Sequence, residues 1–397
     1  MKEHINNLEN NKPNIFICTG WLLLMCVMMA RQLSLLINGT SSLATTLFKA
    51  AFVIFFVVFG SVFISNINKS SFVFSALIVI VGLVFLLVGT RALSRIELLA
   101  PFLLSVCALC LLNMGSCYVD RVGWMLKIYV IAVSVLLILE AGKGGNYTAK
   151  CLLYYTENPN QSAILCFSYF VNVFYFRFDE KKKMWLVRLF YDALLVGVGY
   201  AIIKTQSRTI MLCVLLLFLF KFFPFKKREI WIIATYIALF LAFLFPYIVS
   251  TIISFLGEGF LLFGETVETG RELVWKNAIP LVWRNVFGVH FGKKIPMDVF
   301  QYYSGVLDSH NAFLGIAWNY SAVVSVLFLA VVFLSLRRLF RYLSNEKISR
   351  MAPYLLVIFI HMAFETSLFG GAFDYTILCL FPILCILNKG YKKDIVS

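Results

Sequence analysis

Ile232-Ile233-Ala234-Thr235-Tyr236-Ile237-Ala238-Leu239-Phe240-Leu241-Ala242-Phe243-Leu244-Phe245 is apolar at almost every position. The stretch has none of the period-two alternation of an outer-membrane barrel strand. A helix crosses a bilayer with roughly 20 mostly apolar residues, and the run around this stretch, 229–256, is long enough. Comparable runs lie near 14–37, 41–65, 72–90, 96–114, 121–141, 161–178, 185–203, 208–224, 311–336, 351–368 and 372–388. They predict an all-α, polytopic integral membrane protein with about 12 transmembrane helices.

Composition agrees. Of 397 residues, 61% are hydrophobic and only 14% are charged, against about 25% charged in a soluble domain. That is too few to clothe a water-exposed surface of this size. The net charge of +15 reads as basic loops that orient the chain rather than as a nucleic-acid surface. The cysteines fall mostly inside apolar runs and read as small hydrophobes. Cys107 and Cys110 form an isolated C-x-x-C inside a run, without the partners a zinc or redox site needs. Met1 to Pro13 is polar and leads into a run too long for a signal h-region, so no cleaved signal is expected.

Charge then sets topology. With a cytoplasmic N-terminus, Lys181-Lys182-Lys183, Lys226-Lys227-Arg228, Arg337-Arg338 with Arg341, and the tail Lys389, Lys392 and Lys393 all fall inside. The C-terminus is then cytoplasmic as well. Arg91 and Arg95 fall outside, against the trend. The reading divides the chain into nine spans over 1–256, an extracytoplasmic loop with an interfacial helix over 257–310, and three spans with a cytoplasmic tail over 311–397.

Several basic residues break the orienting trend: Lys204 with Arg208, then Arg271, Lys276 and Arg284, then Lys293-Lys294. Arg208 stands in Lys204-Thr205-Gln206-Ser207-Arg208-Thr209, at the expected outer start of a span. A helix N-terminus favours anions, and an arginine beside it adds a fork suited to phosphate. The alternative is an arginine snorkelling to headgroups. Arg271 opens an expected amphipathic helix, Arg271 to Trp283, with Trp275 and Trp283 as interfacial anchors. The alternative there is pairing with Glu268 or Glu272. His310 stands in Asp308-Ser309-His310-Asn311-Ala312-Phe313-Leu314, where Ser309 or Asp308 serves as N-cap. A histidine in a first helical turn is disfavoured as imidazolium and so stays available as a base. The alternative is a polar residue that satisfies a helix end. Together these residues suggest a lipid-linked phosphate or pyrophosphate as substrate. Glu140, Asp192, His361, Glu365 and Asp374 lie in or near spans, where ionised groups are costly. Structural pairing is expected for them, with His361 and Glu365 on one helical face.

Three ordered motifs carry a resemblance: Thr205-Gln206-Ser207-Arg208-Thr209; Gly270-Arg271-Glu272-Leu273-Val274-Trp275 followed by Phe287-Gly288-Val289-His290-Phe291-Gly292; and Ser309-His310-Asn311-Ala312-Phe313-Leu314. With Asn158-Pro159-Asn160-Gln161-Ser162-Ala163 as a weaker element, the chain resembles the O-antigen polymerase and O-antigen ligase superfamily over roughly 155–390. The Ala317-Trp318-Asn319-Tyr320-Ser321 stretch departs from that family, which often has a glycine there. His290 stands where a small residue is common and is a second candidate base.

The resemblance implies a C-type glycosyltransferase bundle in the bacterial cytoplasmic membrane, with no metal and no cofactor. It implies a polyprenyl-pyrophosphate-linked glycan, such as an undecaprenyl pyrophosphate one, as donor and another as acceptor. Arg208 and Arg271 would hold the pyrophosphate and His310 would take the acceptor's proton. Gln206, Ser207, Asn311, Trp275 and Asn160 would line the substrate. Expected partners are the lipid bilayer, a chain-length regulator and a flippase. Polymerisation of repeat units is the favoured activity, with transfer to lipid A-core by a ligase close behind. A lipid-linked oligosaccharide flippase is the rival of another class. Paired repeats with midplane charges would mark such a transporter, and this sequence shows one asymmetric loop instead.

Overall fold

The computed structural model describes residues 119–142, 159–179, 184–225, 227–256, 261–262, 265–266, 271–287, 310–319, 321–365 and 373–388, with a few helical positions between 19 and 54. The expected spans at 72–90 and 96–114 lie outside these residues, as do most of 14–37 and 41–65. So do Arg91, Arg95, His290, Lys293, Lys294 and the basic tail.

The described helices are α1 Val119–Gly142, α2 Pro159–Phe178, α3 Trp185–Thr205, α4 Arg208–Phe222, α5 Arg228–Leu256, α6 Arg271–Arg284, α7 Ala312–Asn319, α8 Ala322–Tyr342, α9 Asn345–Phe364 and α10 Phe373–Asn388. Between α5 and α6, β1 Leu261–Leu262 and β2 Glu265–Thr266 pair antiparallel as a minimal hairpin. Among the described residues, five helical stretches are long and apolar enough to cross a membrane: Gly123–Gly142, Trp185–Thr205, Arg228–Ile252, Ala322–Arg341 and Asn345–Phe364. Their outward faces are apolar too. Leu189, Val196 and Ile203 of α3 and Ile233, Ile237, Phe240 and Leu244 of α5 are exposed. A water-soluble monomer rarely leaves apolar surface contiguous on this scale, so the fold is compatible with a membrane protein.

Two expectations change. The run 311–336 is not one span: α7 stops at Asn319 and α8 starts anew at Ala322. Ser321 causes the restart, because its side chain accepts the Val324 N–H at 3.0 Å as an N-cap. The run 208–224 yields a 15-residue helix, about 22 Å long at 1.5 Å per residue, which is short of a roughly 30 Å hydrocarbon core.

The chain divides into two compact units; among the described residues it passes from one to the other at Ser207/Arg208 and at Cys379/Leu380 within α10. The first contains α1 to α3. Its central helix is α2, buried continuously from Ser162 to Phe176. The Tyr129 and Tyr169 hydroxyls share a hydrogen bond at 2.7 Å between α1 and α2. Arg177 Nε donates to Asp192 Oδ1 at 2.6 Å between α2 and α3. Asp192 is thereby paired, as an acidic residue in an apolar helix must be.

The second unit contains α4 to α9, and its helix directions follow from side-chain contacts. Phe220 packs edge-on to Trp231, so the end of α4 meets the start of α5. Arg228 donates to the Phe340 carbonyl, which puts the end of α8 and the start of α9 beside them. At the opposite end Phe245 of α5 packs on Phe364 of α9, with centroids 4.6 Å apart. Thus α5 and α9 run parallel, with α4 antiparallel to both.

Candidate functional site

Asn311 ties together the far end of the second unit. Its Nδ2 donates to Ala242 O of α5 at 2.8 Å and to Ala363 O of α9 at 3.0 Å. Its Oδ1 accepts the Leu314 N–H at 2.9 Å. The two carbonyls are no accident of packing. Pro246 lies inside α5 and has no N–H, so the carbonyl four residues earlier, Ala242 O, has no helical partner. Ala363 sits in the last turn of α9, where carbonyls are orphaned by the helix end. The Oδ1 bond makes Asn311 the N-cap of α7. The cap expected at Ser309 or Asp308 thus falls two or three residues later, at Asn311. Asn311 is fully buried, and both of its amide protons are committed to helix carbonyls.

His310 is therefore not in a first helical turn. It lies just before the cap, with φ 49°, in the left-handed region that few non-glycine residues adopt. Its Nδ1 lies 3.4 Å from Glu365 Oε2, and both residues are buried, at 8% and 4% exposure. Glu365 is the residue at which α9 ends. Its backbone is extended, at φ −146° and ψ 149°, and its N–H closes the helix onto His361 O. Glu365 thus stands at the end of the helix rather than within it, and its carboxylate meets His310. Glu365 is the site residue that sequence reasoning missed, since its partner stands 55 positions away.

Gln206 is the other non-glycine residue with positive φ among those described, at 55°. It closes α3 as a left-handed C-cap, with its N–H on Ile203 O. It is exposed, Ser207 beside it is buried, and Arg208 is exposed as the first residue of α4. The two backbone outliers thus fall in the first and third sequence motifs.

The level of Arg208 follows from α4. Cys213 Sγ donates to Val357 O at 3.8 Å. Arg208 lies five residues before Cys213, about 7 Å along the axis, and Phe364 seven beyond Val357, about 10 Å. Because α4 and α9 are antiparallel, both displacements run the same way. Arg208 thus emerges at the end of the unit that holds Asn311, His310 and Glu365.

Arg271 opens α6 one turn before Trp275. Trp275 is 2% exposed and joins Val274, Ala278, Val282, Leu314, Ala317 and Trp318 in one apolar cluster. It stands edge-on to Phe245 at 5.7 Å. Its expected role as an interfacial anchor is corrected, because it is core. Trp283 is the exposed tryptophan of α6, against Tyr247. The cluster seats the start of α6 at the same end of the unit. Asn160 lies in the first turn of α2, in the first unit.

The second unit is thus an apolar helical bundle whose one end gathers two arginine-headed helices and a buried His–Glu pair. Comparison of the chain with protein-family models, curated proteins and solved structures found no match.

Proposed function

We propose that this chain is a membrane glycosyltransferase that polymerises polyprenyl-pyrophosphate-linked oligosaccharide units into a bacterial surface polysaccharide such as O-antigen or capsule. One observation carries the reading: Arg208, Arg271 and His310, from three separate motifs, gather at one end of one unit, where Glu365 meets His310. The positive-inside reading of the basic loops supports placing this end at the outer face.

In this reading Arg208 and Arg271, each at a helix N-terminus, bind the donor's pyrophosphate. They stabilise the charge that grows on it as it leaves. His310 takes the proton of the attacking sugar hydroxyl. Attack opposite the leaving group inverts the anomeric centre. Trp275 and Asn311 support this site by holding α6, α7 and α9 in place.

The test is a strain that lacks this chain, complemented by Arg208→Ala, Arg271→Ala or His310→Ala. The expected result is loss of long glycan with single lipid-linked units accumulating at the outer face. Units accumulating at the cytoplasmic face would show a flippase instead. Normal polymer that fails to reach lipid A-core would show a ligase.

A further inference from the structure

We propose that Glu365 is a positioning residue for His310. Its carboxylate accepts the Nδ1–H, which fixes the tautomer and presents Nε2 to the acceptor hydroxyl. The inference rests on the glycosyltransferase reading and names a part of its machinery that no sequence motif contains.

Three features carry it. The two side chains meet at 3.4 Å in a buried setting, where a carboxylate is costly without a partner. Their backbones are also held together from both sides: Asn311, next to His310, bonds Ala363 O two residues before Glu365, and the Glu365 N–H is fixed on His361 O. Finally, His310 adopts φ 49°, and strained backbone of this kind persists where the surroundings over-determine it.

The chemistry balances. The acceptor hydroxyl oxygen forms a bond to the donor's anomeric carbon. The bond from that carbon to the pyrophosphate oxygen breaks, and its electron pair leaves on the pyrophosphate. The hydroxyl proton moves to Nε2 of His310, and the resulting imidazolium keeps its Nδ1–H on Glu365. The proton passes to water as product leaves. A carboxylate behind a histidine base serves this end in serine hydrolases, where it orients the ring and stabilises the imidazolium without itself taking the proton.

The experiment uses the full-length protein in proteoliposomes with a defined polyprenyl-pyrophosphate-linked repeat unit, and polymer is read as a ladder. Glu365→Ala is expected to lower kcat by about 10²-fold or more and to leave KM nearly unchanged. Glu365→Gln, which still accepts a hydrogen bond, is expected to recover part of that loss. His310→Ala with Glu365→Ala is expected to be no slower than His310→Ala alone, because residues that act as a unit are not additive. Multiplying losses in the double variant, or a normal kcat in Glu365→Gln and Glu365→Ala, overturns the proposal and leaves the proposed function standing. A wild-type protein that makes no polymer overturns both. If Glu365→Ala does not fold, the isosteric Glu365→Gln decides: a loss confined to kcat supports positioning, and an unchanged kcat refutes it.

Discussion

Asn311 donates to Ala242 O, the carbonyl that Pro246 leaves without a helical partner. The proline and the asparagine therefore form one feature: a break in the ladder of α5 and the amide that fills it. Asn311→Ala strands Ala242 O, Ala363 O and the Leu314 N–H together. An unsatisfied buried group costs about 1–3 kcal/mol, so the variant should melt well below wild type in detergent. Pro246→Ala restores a helical N–H for Ala242 O. The loss caused by Asn311→Ala should then be smaller in the Pro246→Ala background than in wild type. Equal losses in both backgrounds would show that the two residues are energetically independent.

Gly197 and Gly199, two residues apart on α3, make a controlled pair in the first unit. A Cβ on Gly197 would come 2.5 Å from Ile138 Cδ1 and 2.8 Å from Cγ1 on α1. A Cβ on Gly199 would meet Phe170 at 3.7 Å, an ordinary contact. Overpacking typically costs about 1–3 kcal/mol, whereas alanine gains up to about 1 kcal/mol over glycine in a helix. Gly197→Ala should lower the melting temperature and Gly199→Ala should hold or raise it. The reverse order would mean that α1 and α3 do not pack as described.

Apolar runs made most described helices legible. The expected 121–141, 185–203, 229–256 and 372–388 fall within a few residues of α1, α3, α5 and α10, because a spanning helix announces itself by length alone. The break at Asn319 to Ser321 was hidden by apolar sequence on both sides, although a serine three residues before Val324 was a usable capping signal. The start of α9 at Asn345 was hidden differently. Its first turns carry Glu346, Lys347 and Arg350 and read as loop, yet Lys347 is buried in the fold. The arginine motifs could be read as site candidates because a charge at the edge of an apolar run is conspicuous. Glu365 could not. Periodicity reports only neighbours on the same helix, and His310 stands on another element, 55 positions away.

The left-handed backbone of His310 separates fold from chemistry. At φ 49° glycine is unstrained, asparagine is tolerated and a β-branched residue is not. Thermal stability should therefore fall in the order His310→Gly, His310→Asn, His310→Val. If the imidazole is the base, all three should polymerise about 10²- to 10⁴-fold more slowly, whatever their stability. A stable His310→Asn protein with normal polymer would remove His310 from the mechanism and leave the fold intact.

Arg208 and Arg271 test whether the anion is held by a fork or only by charge. Arg208 is exposed at the start of α4, so its replacement should barely change the melting temperature. Hydrogen bonds to charged groups contribute about 1.5–3 kcal/mol, or roughly 10- to 100-fold in rate for each arginine that grips the leaving pyrophosphate. Lysine keeps the charge but not the planar, bidentate geometry. Arg208→Lys should therefore lose much of the activity that Arg208→Ala loses, and the same comparison applies to Arg271. Full activity in both lysine variants would reduce the two arginines to a general positive field. Full activity in both alanine variants would show that the pyrophosphate is bound elsewhere.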